Sequence, residues 1–298
     1  MKSKMWVNKA IMLGAMSVTC SLVFATEGGG SIYPNGTENY TVGAMPPPGV
    51  YILEYLSSYS ANRFQDNNGN QTANNFRLNV SAMATRVIWV TDQQILGGQL
   101  SFHTIAPLVN IGVSVQDAGQ TKSGLGDMTI GAGLGYHVSD KLHYVLGFDI
   151  NAPTGAYNKN DMVNLGRNYW NLEPLAAISY IQADGINADL KVMYDVNATN
   201  TDTNYKSGQE LHADYALGWG FGKNFVAGLG GYIYQQMTND TQNGATIQNN
   251  RGRAMAIGPS IKYDSGKGWF LTAKYQKEFE VRNRPEGGGL NVKMNIPF

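Results

Sequence analysis

The chain is poor in the residues on which most soluble enzymes and nucleic-acid binders depend. Of its 298 residues, one is cysteine, four are histidine and only 15% are charged. The single cysteine, Cys20, falls in the first 25 residues, so the remainder carries no thiol, disulfide or cysteine-ligated metal. Basic and acidic side chains balance at 22 each, which excludes the basic surplus that a nucleic-acid partner would demand. Long apolar runs are also missing. The longest, near the N-terminus, is about 16 residues, short of the ~20 that a membrane-spanning helix needs.

That N-terminal run has another reading. In "MKSKMWVNKAIMLGAMSVTCSLVFATEGGG", Lys2, Lys4 and Lys9 precede the apolar stretch, and Val23 and Ala25 occupy the −3 and −1 positions of a signal-peptidase site. The pattern predicts a signal peptide over 1–25 and a mature start at Thr26. "SVTC" lacks the residues of a lipoprotein cleavage site. Loss of the three lysines leaves the mature chain slightly acidic.

What is abundant is glycine (36) and tyrosine (17), a composition suited to strands and turns. From Gly49 onward the chain divides into about twelve alternating segments: 49–61, 75–90, 94–105, 125–138, 142–153, 168–182, 186–199, 209–222, 225–238, 251–264, 268–282 and 288–298. In "ELHADYALGWGF", Leu211, Ala213, Tyr215, Leu217, Trp219 and Phe221 share one face, and Glu210, His212, Asp214, Gly218 and Gly220 the other. "INADLKVMYDVNA" repeats the pattern, with Asp189, Lys191 and Asp195 on its polar face. A soluble sandwich would also alternate, so periodicity alone leaves two architectures open.

The connections separate them. Tight turns ("TDQQ", "SDK", "ADG", "GKN", "DSGKG") alternate with long polar loops such as "NRFQDNNGNQTAN", "TGAYNKNDMVNLGR" and "TNDTQNGATIQNN". Short periplasmic turns and longer extracellular loops are the rhythm of outer-membrane barrels. Tyr136, Tyr180, Trp219, Tyr263, Trp269 and Phe298 fall near the short-turn ends, and Tyr59, Phe76, Trp170 and Phe279 near the opposite ends, as two interfacial girdles would require. The prediction is an all-β fold: a transmembrane antiparallel β-barrel of about 12 strands over 49–298, of the bacterial outer-membrane type. Phe298, ending the alternating "LNVKMNIPF", is expected to face lipid at the periplasmic rim and to serve as the assembly signal for the barrel assembly machinery.

The segments "EGGGS", "PPPGVY", "GDMTIGAGLGYH", "APTGAY", "NLGRNYWNLEP", "SGQELHADYALG", "GLGGYIYQQMTND", "GRAMAIGPSIKYD" and "KYQKEFEVRNRPEG" together resemble the bacterial outer-membrane family named for the meta-pathway of phenol degradation, whose members are labelled transporters. The resemblance covers nearly all of the mature chain. It implies a barrel that passes small, aromatic or hydrophobic molecules, and it brings no catalytic residue with it. A structural or surface-interaction barrel and an outer-membrane hydrolase are the alternatives.

Twelve strands about 4.8 Å apart and tilted about 40° give a backbone radius of roughly 12 Å, which inward side chains would largely fill. By phase, the lumen-lining candidates are Glu173, Asp189, Lys191, Glu210, His212, Asp214, Lys274, Glu278 and Glu280, with Glu54 and Arg77 among further inward charges. Confined charges of both signs should pair, either as an internal network or along a solute route. Residues 26–48, "TEGGGSIYPNGTENYTVGAMPPPG", form an N-terminal segment on the periplasmic side that could enter the lumen as a plug; a flexible tail is the other reading. Glu210 and His212 of "QELHAD" could form an acid–base pair, but no G-x-S-x-G nucleophile motif accompanies them, and the histidines lack H-x-x-x-H spacing. No enzyme, cofactor or obligatory metal is expected. Arg251, Arg253 and Lys277 share the outward phase at the loop end, where they would meet outer-membrane lipid and the phosphates of lipopolysaccharide.

Overall fold

The structure, a computed structural model, describes residues 26–72 and 75–296. The expected signal peptide 1–25, Cys20 and the assembly signal Phe298 lie outside the described residues. After a 3-10 turn at Glu27–Gly29, the strands are β1 (Gly49–Phe64), β2 (Arg77–Ile95), β3 (Gly98–Val115), β4 (Ala118–Leu125), β5 (Met128–His137), β6 (Leu142–Ala152), β7 (Asn171–Tyr180), β8 (Gly185–Asn197), β9 (Thr199–Asn200), β10 (Tyr205–Lys206), β11 (Glu210–Phe221), β12 (Phe225–Gln236), β13 (Thr241–Gln242), β14 (Ala245–Thr246), β15 (Arg253–Asp264), β16 (Phe270–Arg282) and β17 (Pro285–Ile296).

Twelve of these close on themselves. The order β1-β2-β3-β5-β6-β7-β8-β11-β12-β15-β16-β17 is antiparallel throughout, and β1 pairs with β17 from Ile52↔Ile296 to Phe64↔Pro285. Closure satisfies the edge groups that a membrane would otherwise strand, which is why a chain without a long apolar helix can still cross one. Among the described residues no helix is long and apolar enough to span a bilayer. The outer wall is aliphatic where it must meet lipid: Leu56, Leu108, Leu146, Leu190, Leu217, Leu229 and Leu290 are all exposed. Near the short turns an aromatic band includes Trp89, Phe102, Trp219, Phe221 and Phe225, and Tyr136 stacks on Tyr144. The inner wall is polar and buried, so this fold has its core where a sandwich would have its charged surface.

Several expectations need correction. The third strand does not stop at 105: alternation persists through Leu108, Asn110 and Gly112 against Val109, Ile111 and Val113, and β3 folds back as β4 through Val115↔Ala118. "TDQQ" lies inside β2, and the turn is Leu96–Gly97, both with positive φ (54° and 78°), as a two-residue hairpin requires. The short-long rhythm breaks at the last outer connection. Only Asn283 and Arg284 separate β16 from β17, because Asn283 adopts φ 52° and its Nδ2 donates to the carbonyls of Asn249 (3.1 Å) and Arg251 (3.0 Å). The phase of β1 is inverted. Tyr55 and Tyr59 point inward, Glu54 outward between Ile52 and Leu56, and Phe76 is buried with Phe64 and Ala61 instead of joining a girdle. Arg77 likewise faces out, opposite Ser114 of β3.

Candidate functional site

Residues 26–48 run through the barrel from the loop end to the short-turn end, where β1 begins. At the top, the Thr26 amide donates to Asp240 Oδ2 (3.1 Å), and the Glu27 side chain accepts from Asn200 Nδ2 (2.8 Å), Thr203 Oγ1 (2.7 Å) and Tyr157 hydroxyl (3.1 Å) of the outer loops. Arg167 reaches the carbonyls of Glu27 and Ser31. Lower down, Asp214 accepts from the Gly36 amide (2.8 Å), the Glu38 amide (2.9 Å) and the Tyr33 hydroxyl (2.6 Å). The Val42 amide then donates to Asp189 Oδ1 (3.1 Å) and the Gly43 amide to Ser179 Oγ (2.8 Å). Past its 3-10 turn the peptide has no regular ladder to satisfy its amides, and inward carboxylates of the wall accept from those of Gly36, Glu38 and Val42.

Glu38 is the main anchor. Its carboxylate accepts from Lys293 Nζ (2.9 Å) and the Tyr55 hydroxyl (3.0 Å), lies 3.5 Å from Arg86, and its backbone carbonyl accepts from Lys274 Nζ (2.7 Å). Burial alone would push the Glu38 carboxyl up, but Lys293, Lys191 and Arg86 outweigh it and hold the group well below the usual carboxylate range. Inward glycines leave the space the peptide occupies: a Cβ on Gly135 would strike Met45, and one on Gly218 would strike the Tyr40 hydroxyl.

The predicted lumen residues divide as follows. Glu173, Asp189, Lys191, Glu210, His212, Asp214 and Lys274 are buried in the wall facing this peptide. Lys191 stands over the Tyr33 ring, and Glu278 accepts from the Tyr59 and Tyr232 hydroxyls and the Gly287 amide. Glu280 does not line the lumen. Arg253↔Arg282 and Met255↔Phe279 leave one extra residue on β16, a bulge in which Glu280 takes φ 54°, turns outward beside Arg253 (3.8 Å) and hands the inward position to Val281. Arg251 is exposed and bonds Asn239, Arg253 is partly exposed, and Lys277 stands on the outer wall between Tyr275 and Phe279. Glu210 and His212, the expected acid–base pair, are 1% and 0% exposed, covered by the peptide.

Three partners were missed by sequence reasoning. Taking Arg77 as inward puts Arg86, nine residues on, on the outer face, whereas it stands opposite Leu53 and bonds His103 inside the barrel. Glu38 and Asn35 lie in the irregular segment, where no periodicity assigns a direction. The register of neighbouring strands also places inward carboxylates in one row. Asp149 pairs with Glu173, Glu210 pairs with Asp195, and Asn171↔Asn197 and Leu175↔Met193 bring Glu173 beside Asp195.

No curated protein sequence matches the chain. Among solved structures, it is similar to an outer membrane channel from Pseudomonas putida F1, with 20% identity and TM-score 0.75 over 88% of this chain and 99% of that one. It also matches the translocator domain of the autotransporter NalP from Neisseria meningitidis at 11% identity and TM-score 0.49, over 86% and 91% of the two chains. The first likeness supports the twelve-stranded fold independently of the strand pairing. With residues 61–294 matching its sequence profile, the chain belongs to the family described as "Putative MetA-pathway of phenol degradation".

Proposed function

We propose that the protein is an outer-membrane channel for passive passage of small molecules, closed at rest by residues 26–48. One observation carries this reading: the peptide fills the barrel but is held by hydrogen bonds and ion pairs to side chains, not by strand pairing or covalent links. Such contacts can be exchanged for water, whereas a β-ladder would fix the segment permanently. The solute class, small and aromatic or hydrophobic, is taken from the family. The wall contributes tyrosine rings beside its charges, Tyr55, Tyr59 and Tyr232 among them, and the plug adds Tyr33 and Tyr40. No catalytic step is included, since the best acid–base pair is sealed beneath the plug.

The leader is taken to be removed after Ala25. The amide of Thr26 would then be an α-ammonium 3.1 Å from Asp240, whose carboxyl burial pushes up and which also accepts from the Gly208 amide (2.6 Å) and Asn250 Nδ2 (2.6 Å). Processing would thus supply the counter-ion that this buried carboxylate needs. Arg251, Arg253 and Lys277 are retained as a lipid-phosphate patch, since long cationic side chains at the outer rim can reach lipopolysaccharide phosphates.

A reversible lock tests the channel reading. Asn39 on the plug bonds Ser260 on β15 (2.7 Å), and a chain whose only cysteine is Cys20 offers a clean background for Asn39→Cys with Ser260→Cys. Reduced protein in liposomes should admit a small neutral aromatic solute and oxidised protein should not. Equal flux in the two states, including none in either, would overturn the reading; no flux in either would favour a structural barrel.

A further inference from the structure

Beneath the plug, one point on the inner wall gathers three side chains of the kind that ligate metals. Asp195 on β8, Glu210 and His212 on β11 meet there because Glu210 pairs directly with Asp195 and His212 stands two residues along on the same face. Their ligating atoms lie within 4.8 Å of one another, and all three side chains are 1% exposed or less. Neither carboxylate oxygen of Asp195 makes a hydrogen bond, and neither does Nε2 of His212, although Nε2 lies 3.2 Å from Asp195 Oδ2 and 3.7 Å from Glu210 Oε2. A buried carboxylate with both oxygens unbonded is costly, and the acidic row from Asp149 through Glu173 adds negative charge on the same side.

We propose that Asp195, Glu210 and His212 bind a divalent transition metal, zinc by preference. Mixed nitrogen and oxygen donors suit zinc, and bonds of about 2.0–2.1 Å place tetrahedral ligand atoms roughly 3.3–3.4 Å apart. The separations of 3.2 and 3.7 Å bracket that edge. The outer partners are those a ligating histidine requires. Nδ1 of His212 donates to Asn35 Oδ1 (2.6 Å), which leaves Nε2 as the ring nitrogen turned toward the two carboxylates, and Glu210 Oε1 accepts from the Tyr234 hydroxyl (2.8 Å), leaving Oε2 for the ion. The fourth position falls to water. Because Asn35 belongs to the plug, the ion would also tie the plug to the wall.

The test uses full-length processed barrel, purified in detergent, stripped with chelator and given zinc alone. The exposed His137 and His143, whose Nδ1 atoms lie 2.7 Å apart, could hold metal by themselves, so the background carries His137→Ala and His143→Ala. Folding is followed by heat-dependent electrophoretic mobility. The expected result is one zinc per folded barrel by elemental analysis and, with cobalt instead, the intense visible absorption of a tetrahedral site. His212→Gln should lower zinc affinity at least 100-fold. Glu210→Gln, which keeps an acceptor for Tyr234, is the second variant and should lower it at least tenfold. Folded barrel that takes up no stoichiometric zinc, or a folded Glu210→Gln or His212→Gln variant that binds as well as its parent, would overturn the proposal.

Discussion

Glu38 neutralises more buried charge than any exposed pair, and its removal is correspondingly costly. Lys293, 2.9 Å away, is 3% exposed and among the described residues has no other carboxylate at bonding distance, so Glu38→Gln leaves a buried ammonium uncompensated. Breaking a buried pair on one side costs about 3–5 kcal/mol. The expected outcome is a plug that leaves the lumen far more often, read as a longer open time in planar bilayers. The direction of the shift also sets the pH response. A carboxyl held below its unfolded value contributes fully above the ordinary carboxylate range and loses that contribution only as pH falls through the lowered value. Glu38 should therefore add no pH dependence of its own to the closed-state lifetime between pH 7 and pH 5, and a transition in that window that Glu38→Gln abolishes would show that its carboxyl is not held low. Glu54 is the opposite case, a carboxylate on the lipid-facing wall. Thr85 Oγ1 donates to it at 2.6 Å, but Oε2 is buried without a hydrogen bond. Glu54→Leu should raise barrel stability by about 1 kcal/mol in reversible unfolding into urea, since carboxylates on this face carry a smaller penalty than the ~2–4 kcal/mol of a midplane cation.

At the scale of elements, β11 shows what periodicity can and cannot reveal. Its inward Glu210, His212 and Asp214 were legible because two-residue alternation is unbroken from end to end. On β16 the same rule fails after Phe279, since a bulge inserts one residue without any apolar–polar signature, and Glu280 is displaced to the outside. Left-handed φ at a non-glycine residue costs roughly 1 kcal/mol, and the Arg253 contact is long and exposed, so Glu280→Gly should leave the barrel about 0.5–1 kcal/mol more stable on urea unfolding. An equal loss would mean that the ion pair outweighs the backbone. In β1 the phase is ambiguous for a different reason: Glu54 shares a face with Ile52 and Leu56 while Tyr55 and Tyr59 stand on the other, so neither face is cleanly apolar. The three-residue cluster at Asp195 escaped notice because metal-ligand spacing was sought in its helical form. On a strand the equivalent signal is E-x-H, and its third member arrives from the neighbouring strand, whose register the sequence does not state.

At the scale of the whole molecule, the barrel and its plug divide the work between periodic and aperiodic sequence. The wall was readable because lipid demands one apolar face along every strand, and that demand repeats at fixed spacing. The path of residues 26–48 was not, because a peptide held by wall carboxylates needs only backbone donors, and any residue but proline has one. This division gives the last prediction. If the wall is complete without the plug, a chain with residues 26–48 deleted, so that the barrel follows the leader directly at Gly49, should still close through β1 and β17, whose pairing begins at Ile52. The deletion also strips partners from Asp214, Asp189 and Lys293. Freed in a water-filled lumen, these groups can hydrate, so the penalty should fall on stability and not on closure. The time-averaged conductance per channel should rise several-fold above that of the full chain, because the closed state is lost, with cation preference increased by the exposed acidic row. Unchanged conductance and selectivity in a folded deletion variant would mean that the lumen is narrowed by the wall itself, and that the plug is a brace and not a gate.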